Sequence, residues 1–243
     1  MNATLRQTAV YAVASSPCGA AVLSVAGESV HLRPSGALWL EASRTLVVAD
    51  LHFEKGSAYA ARGQLLPPYD TGETLNRLEA ELAATAPDRL VFLGDSFHDG
   101  QALARISGRD VERLCTLAHG RTLTWIVGNH DADGPGGLPG EVAEELAIGA
   151  LILRHEPQPG VQPGETAGHL HPCARISALG RSVRRRCFVT DGERLILPAF
   201  GAYAGGLNVR DVAFSGMFSR PPIVVALGPQ RAQVVAWGSL RGD

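Results

Sequence analysis

The sequence is poor in cysteine, has no long apolar run and carries almost no net charge, and each shortage removes a class of protein. Its four cysteines are Cys18, Cys115, Cys173 and Cys187. They form no Cys-x-x-Cys pair and no zinc-ribbon spacing, which speaks against a thiolate zinc module and against a disulfide framework. A few scattered thiols suit a reducing compartment, so a cytoplasmic protein is expected. No stretch of about 18 apolar residues occurs, so neither a transmembrane helix nor a membrane partner is expected. The apolar segment from Ala9 to Ala14 is too short and broken for a signal peptide, and Arg6 is the only basic residue near it. A net charge of −2 leaves no whole-chain electrostatic footprint for nucleic acid. The basic residues are nevertheless uneven: Arg181, Arg184, Arg185 and Arg186 fall together, as on a solvated hairpin or on a phosphate-facing patch. No internal repeat and no low-complexity segment stands out.

What is present is an ordinary globular composition, 45% apolar and 19% charged. The 243 residues fit one domain, 1–243, large enough to bury a core without disulfides. Residues 1–18 read as a loosely held start. Ala20–Val30, interrupted by Gly27, reads as strand, turn, strand, and Ala37–Leu40 as a further short strand. Thr45–Ala49 is an unalternating, β-branched run, as in a strand buried on both faces. A polar loop with Gly56, Gly63 and Pro67-Pro68 follows. Asp70 or Thr71 then caps a helix to about Ala84, whose stripe is Leu75, Leu78 and Leu82. Strands are expected at Arg89–Leu93, Thr122–Val127 and Ile148–Arg154, and helices at Gly108–His119 and, for a short stretch, Glu141–Ala147. From Phe188 to Trp237 the chain reads as short strands. The pattern is α/β, with a β-rich second half.

The chemistry sits where apolar runs stop. They end in Asp50-Leu51-His52, in Gly94-Asp95-Ser96-Phe97-His98-Asp99, in Gly128-Asn129-His130-Asp131 and in Arg154-His155-Glu156, and then comes Gly168-His169-Leu170-His171-Pro172. Ligands of open α/β sheets gather at the carboxyl ends of strands, so these five segments can share one crevice. The donors are oxygen and imidazole with no thiolate, which suits Mn²⁺, with Fe or Zn²⁺ also possible. Carboxylates and histidines crowded together repel or are costly to bury unless cations join them. Alternate residues of a regular strand point apart. Asp50 and His52 must therefore lie where strand gives way to loop. The glycines before Asp95, Asn129 and His169 are expected to allow the sharp turn that aims the next side chain.

These blocks, in this order, resemble the calcineurin-like metallophosphoesterase family, whose pattern runs Asp-x-His, Gly-Asp-x-x-(Asp or His), Gly-Asn-His-(Asp or Glu), His, Gly-His-x-His. The resemblance implies a four-layer α/β/β/α sandwich holding two divalent metal ions. It implies that Asp50, His52 and His171 hold one ion, that Asn129, His155 and His169 hold the other, and that Asp95 bridges them. His130 would be the acid that protonates the leaving oxygen. Many members place an aspartate three residues after the bridging one to orient that histidine. Here the position is His98, with Asp99 beside it, so the orienter is open and His98 is a candidate substrate contact. Ala49–Gly56, Arg62-Gly63, Leu66–Thr71, Leu93–Asp99 and Leu197–Gly201 further resemble the bacterial ligase-associated DNA damage response endonucleases. That likeness implies DNA as substrate and an association with a DNA ligase and a helicase. The alternatives are a small-molecule phosphoesterase for a nucleotide or cyclic nucleotide, and a weakly active binding protein that retains the cage. A nuclease requires basic residues near the metals, for which Lys55 and Arg62 are the first candidates. The cluster Arg184–Arg186 is a weaker one, because a dozen residues separate it from His171. A mononucleotide enzyme requires an aromatic platform, for which Tyr69 is the candidate, unless it packs beside Pro67-Pro68.

Overall fold

The computed structural model describes residues 12–64, 66–178 and 181–243. Most of the segment expected to be loosely held thus lies outside the described residues. Two sheets carry the fold. The first runs in chain order through β1 (Ala14–Ser15), β2 (Ala21–Val25), β3 (Glu28–Leu32), β4 (Leu38–Leu40), β5 (Thr45–Val48), β6 (Arg89–Leu93), β7 (Thr122–Ile126) and β8 (Glu141–Ala143). Strands β1 to β5 are antiparallel, and β5 to β8 are parallel. Parallel neighbours need crossovers. Two of these contain helices: α1 (Lys55–Ala61) and α2 (Asp70–Thr85) after β5, then α3 (Ala102–Arg105) and α4 (Gly108–Leu117) after β6.

The second sheet is built from β9 (Glu145–Ile148), β10 (Leu151–Arg154), β11 (Glu165–Ala167), β12 (Pro172–Ala178), β13 (Arg181–Thr190), β14 (Leu195–Ile196), β15 (Leu207–Asn208), β16 (Ile223–Leu227), β17 (Ala232–Val235) and β18 (Leu240–Arg241).

Period-two alternation sorts the side chains into layers. Val47, Val91 and Leu93 face the second sheet, where they meet Leu151, Leu153, Phe188 and Val225. Leu46, Val48, Leu90 and Phe92 face the helices and meet Leu75, Leu78 and Leu114. On the far face of the second sheet, Val189, Ile196 and Val224 meet Phe214, Met217 and Trp237. The expected outer helical layer is not found there: among the described residues no α-helix follows β7, and two 3₁₀ turns, Val212–Phe214 and Trp237–Ser239, help close that face. Glycine and proline interrupt the chain too often between Thr190 and Ile223 for a helix to propagate. No helix among the described residues is long and apolar enough to cross a membrane.

Three local expectations change. The loop after β5 contains helix α1, whose early Gly56 lets the Asp70 carboxylate close in. The Gly56 N–H donates to Asp70 Oδ2 at 2.9 Å, and a β-carbon there would stand 2.6 Å from Oδ1. Asp70 and Thr71 accordingly do not cap α2. Thr71 Oγ1 accepts from the Glu54 N–H and donates to Glu54 Oε1, each at 2.9 Å, so both residues fasten α2 to the start of α1. Finally, Glu141–Ala147 is strand rather than helix. Its first half pairs with β7 and its second with β10, and this tertiary pairing overrides helix propensity.

Candidate metal centre

Strand ends β5, β6 and β7 and the segments after β10 and β11 deliver the candidate ligands to one place. Presenting both Asp50 and His52 inward requires a backbone that a regular strand does not offer. The chain achieves it with left-handed residues: φ is 54° at Asp50, 46° at His52, 46° at Asp95, 66° at His169 and 46° at His171. Such conformations cost about 1–2 kcal/mol each for a residue with a β-carbon. Among the described residues, five of the nine non-glycine residues with positive φ are candidate ligands, so the strain is concentrated at the site. The neighbouring glycines serve close approach more than turning. Gly94 has φ of 73°, and a β-carbon on it would lie 2.2 Å from His155 Nδ1. Gly128 and Gly168 are not left-handed, but β-carbons there would lie 2.3 Å from Asp95 Oδ1 and 2.7 Å from Asp50 Oδ2.

Two groups of donors result. In the first, His171 Nε2 stands 3.2 Å from Asp50 Oδ1 and 3.2 Å from His52 Nε2, and His52 Nε2 is 3.9 Å from Asp95 Oδ2. In the second, His155 Nε2 stands 3.3 Å from Asp95 Oδ1, 2.9 Å from Asn129 Oδ1 and 3.2 Å from His169 Nδ1, and Asn129 Oδ1 lies 3.1 Å from His169 Nδ1. Asp95 turns one oxygen toward each group. Metal bonds of about 2.0–2.2 Å put neighbouring donors of one ion about 3.0–3.5 Å apart, which most of these separations match.

The electrostatics also fit cations. Asp50 and Asp95 are 0% and 2% exposed, and among the described residues no lysine or arginine is within ion-pair distance of either. His52 gives little compensation: burial, with the charge of His171 added, pushes its pKa down to about 3. His155 goes the other way. Burial opposes its charging, but the hydrogen bond to Asp95 and the charges of Asp50 and Asp95 win and raise it to about 9. Burial would raise Asp95, yet the His155 hydrogen bond and charge hold it at about 2. Two buried carboxylates facing imidazoles at these distances fit two divalent cations better than protons alone. Outer partners brace the set. His155 Nδ1 faces the Leu93 carbonyl at 3.2 Å, and the Asp50 carboxylate accepts the His169 N–H.

His130 is exposed beside this cage, its Nε2 3.9 Å from Asp95 Oδ2. Its Nδ1–H donates to the His98 carbonyl oxygen at 2.8 Å, so the group that orients it is backbone. The Asp99 carboxylate is occupied elsewhere, by Arg105 at 2.8 Å and the Gln101 N–H at 2.9 Å. The His98 ring stacks on His130 with centroids 5.6 Å apart, and its buried Nδ1 has no hydrogen-bond partner. Asp131 was quoted in the motif without a role, and the structure gives it one. Its carboxylate accepts N–H groups from Gly128 at 2.8 Å, Ser96 at 2.6 Å and Phe97 at 3.3 Å, tying the Asp95 loop to the Asn129 loop. Burial pushes its pKa up, opposed by those three donors.

Lys55, the only lysine in the sequence, is half-buried at the start of α1. Arg62 is exposed just after α1. His98 is depressed by burial first and then by the charges of Lys55, His130 and Arg62, which puts both basic side chains within electrostatic reach of this rim. Tyr69 stands 72% exposed, so it is not packed away beside the prolines.

Donors drawn from both sheets and meeting at one carboxylate are consistent with a binuclear metal site of the kind found in metal-dependent hydrolases. Residues 43–193 match the family model described as calcineurin-like phosphoesterase, and the chain belongs to that family of hydrolases acting on phosphoester bonds. Among solved structures, the Pseudomonas putida nuclease MPE is similar over 89% of this chain and 100% of its own, with 27% identity and a TM-score of 0.67. Yfce, a phosphoesterase from Escherichia coli, is 16% identical with a TM-score of 0.38, covering 79% of this chain and 98% of its own, too distant for an argument. No curated protein matches the chain.

Proposed function

We propose that the chain is a two-metal phosphodiesterase that cuts DNA, acting in repair, and that it works as a single domain. The observation that carries the reading is the likeness to a nuclease along nearly the whole chain, at 27% identity. In this reading Asp50, His52 and His171 hold one ion, Asn129, His155 and His169 the other, and Asp95 both. Held by these residues, two divalent cations, most suitably Mn²⁺, with Fe or Zn²⁺ also fitting the donors, would supply charge neutralisation for phosphoryl oxygens and acidity for a water. His130 donates a proton to the departing sugar oxygen. The His98 carbonyl that accepts its Nδ1–H supports that role, because it fixes the ring and leaves Nε2 on the cage side. Lys55, Arg62 and the His98 ring contact the strand. Within the family, the Ala49–Gly56 and Leu66–Thr71 blocks resemble the endonuclease PdeM. An association with a DNA ligase and a helicase rests on that sequence likeness alone.

The test is the Mn²⁺-loaded protein offered a model phosphodiester, a phosphomonoester, and single- and double-stranded DNA. The reading expects cleavage of DNA and of the diester. Turnover of a small ester with no DNA cut under any metal would make the chain a small-molecule phosphoesterase instead.

A further inference from the structure

Five arginines, Arg33, Arg77, Arg184, Arg185 and Arg186, line one cavity of about 780 Å³, and Glu81 is the only acidic side chain on its wall. Three of the guanidiniums have carboxylates: Arg33 meets Glu81, Arg77 meets Glu73 at 3.0 Å, and Arg184 meets Asp243 at 3.0 Å. Arg185 and Arg186 meet none among the described residues. Arg185 donates only to the Arg184 carbonyl, at 3.2 Å. Arg186 donates through Nη1 to the carbonyls of Ala199, Phe200 and Gly201, at 2.7, 3.2 and 3.4 Å, which leaves its Nε and Nη2 without an acceptor among the described residues. Burial lowers Arg186, and the charge of Arg77 lowers it further. Like charges gathered on one partly buried wall are costly until an anion joins them.

The cavity is near the metal cage, although a dozen residues separate Arg184 from His171 in sequence. The β12–β13 hairpin folds back so that Arg186 pairs with Cys173, two residues beyond His171. With a rise of ~3.3 Å per residue and ~4.8 Å between strands, the backbones of Arg186 and His171 lie about 8 Å apart. A second path is as short. Gly201, whose carbonyl Arg186 holds, gives its N–H to the Asp50 carbonyl at 3.2 Å.

We propose that this cavity is a second phosphate site, gripping the backbone of a DNA strand whose scissile phosphate lies at the metal cage. The proposal rests on the nuclease reading above. An offset of about 8 Å keeps the gripped phosphate a near neighbour of the scissile one on the same strand. Guanidinium groups are suited to it because their planar forks match two phosphate oxygens at once.

The test uses the double variant Arg77→Ala, Arg185→Ala. Neither side chain has a part in the metal cage, and the Arg77 pair with Glu73 is a surface i,i+4 contact worth little. The probe is a phosphorothioate single strand, bound by Mn²⁺-loaded protein between about 50 and 200 mM salt. The plot of log affinity against log salt should become shallower by about 1.4, two contacts at ~0.7 each. Hydrolysis of a model phosphodiester should stay at the wild-type rate, and Arg185→Lys should keep most of the slope. An unchanged slope in the double variant, with the wild type binding and cutting DNA, overturns this site and leaves the nuclease reading standing. Equal losses on DNA and on the small diester also overturn it, since the defect would then lie at the cage. A wild type that binds no DNA at any of these salt concentrations sinks both.

Discussion

The two halves of the cage are built from similar donors but stand in opposite electrostatic states. On the Asp50–His171 side, His52 is buried so deeply that its ring is held neutral, with a pKa of about 3. It has no proton to give up when a cation arrives. On the Asn129–His169 side, burial of His155 is overcome by Asp95 and Asp50, and its pKa stands at about 9. A ligand histidine must be deprotonated, so a cation here first displaces a proton at neutral pH. Burial alone does not set the state of a ligand histidine, since both rings are 5% exposed. What differs is how closely carboxylates approach each ring. Each Nε2 faces another imidazole at 3.2 Å, but Asp95 comes within only 3.9 Å of His52 Nε2 and within 3.3 Å of His155 Nε2, and His155 Nδ1 also lies 3.7 Å from Asp50 Oδ1.

The comparison is broken most severely by removing the group the halves share. Asp95→Ala should abolish both the second ion and phosphodiester turnover, because the remaining donors leave two cations repelling with no bridge. Metal analysis of the purified variant checks this, and two ions per chain with full activity would refute the bridge. Next in size is His130→Ala, which leaves both halves intact. It should keep its metal and lose about 10²–10⁴-fold in rate on DNA, whose sugar oxygen needs a proton, yet lose little on a nitrophenyl ester, which leaves unaided. Equal losses on both substrates would argue that His130 is not the acid.

A smaller effect sharpens the difference between the halves. Below about pH 9 each unit of pH costs the Asn129–His169 side about tenfold in apparent metal affinity through the His155 proton, so its affinity should climb about 100-fold from pH 6 to pH 8. Replacing His155 with alanine should remove that dependence along with the ion, whereas His171→Ala should remove the other ion and leave it. Calorimetry in two buffers of different ionisation heat measures the released proton directly. Smallest is the rim. Lys55→Ala with Arg62→Ala should flatten the salt dependence of DNA binding by about 0.7 per lost contact for a single strand, with little change on a small phosphodiester.

Much of this was legible because each ligand stands at a discontinuity of the sequence, where a β-branched or apolar run meets Asp, His or Asn. Strands Thr45–Val48, Arg89–Leu93 and Thr122–Ile126 are plain for the same reason: burial on both faces leaves little choice of residue. What was not legible depends on contacts distant in sequence. Helix α1 is short and polar, and it is stabilised at its start by Asp70 and Thr71 from the next helix. The orienter of His130 is a carbonyl, and every residue has one. Asp131 was visible as a motif letter, but its three N–H partners come from two different loops. The arginines of β13 looked remote from His171 until the hairpin register brought them back beside it. The left-handed backbone at Asp50 and His52 has no composition signal at all, since neither residue is a glycine.

The account stands most directly on a titration of the metal-free protein with Mn²⁺, following phosphodiester hydrolysis and bound metal together. It predicts little activity after one equivalent per chain and full activity after two, with the second equivalent binding more weakly at pH 6 than at pH 8. Full activity with one equivalent, or two equivalents bound with no hydrolysis of any phosphodiester, would contradict it.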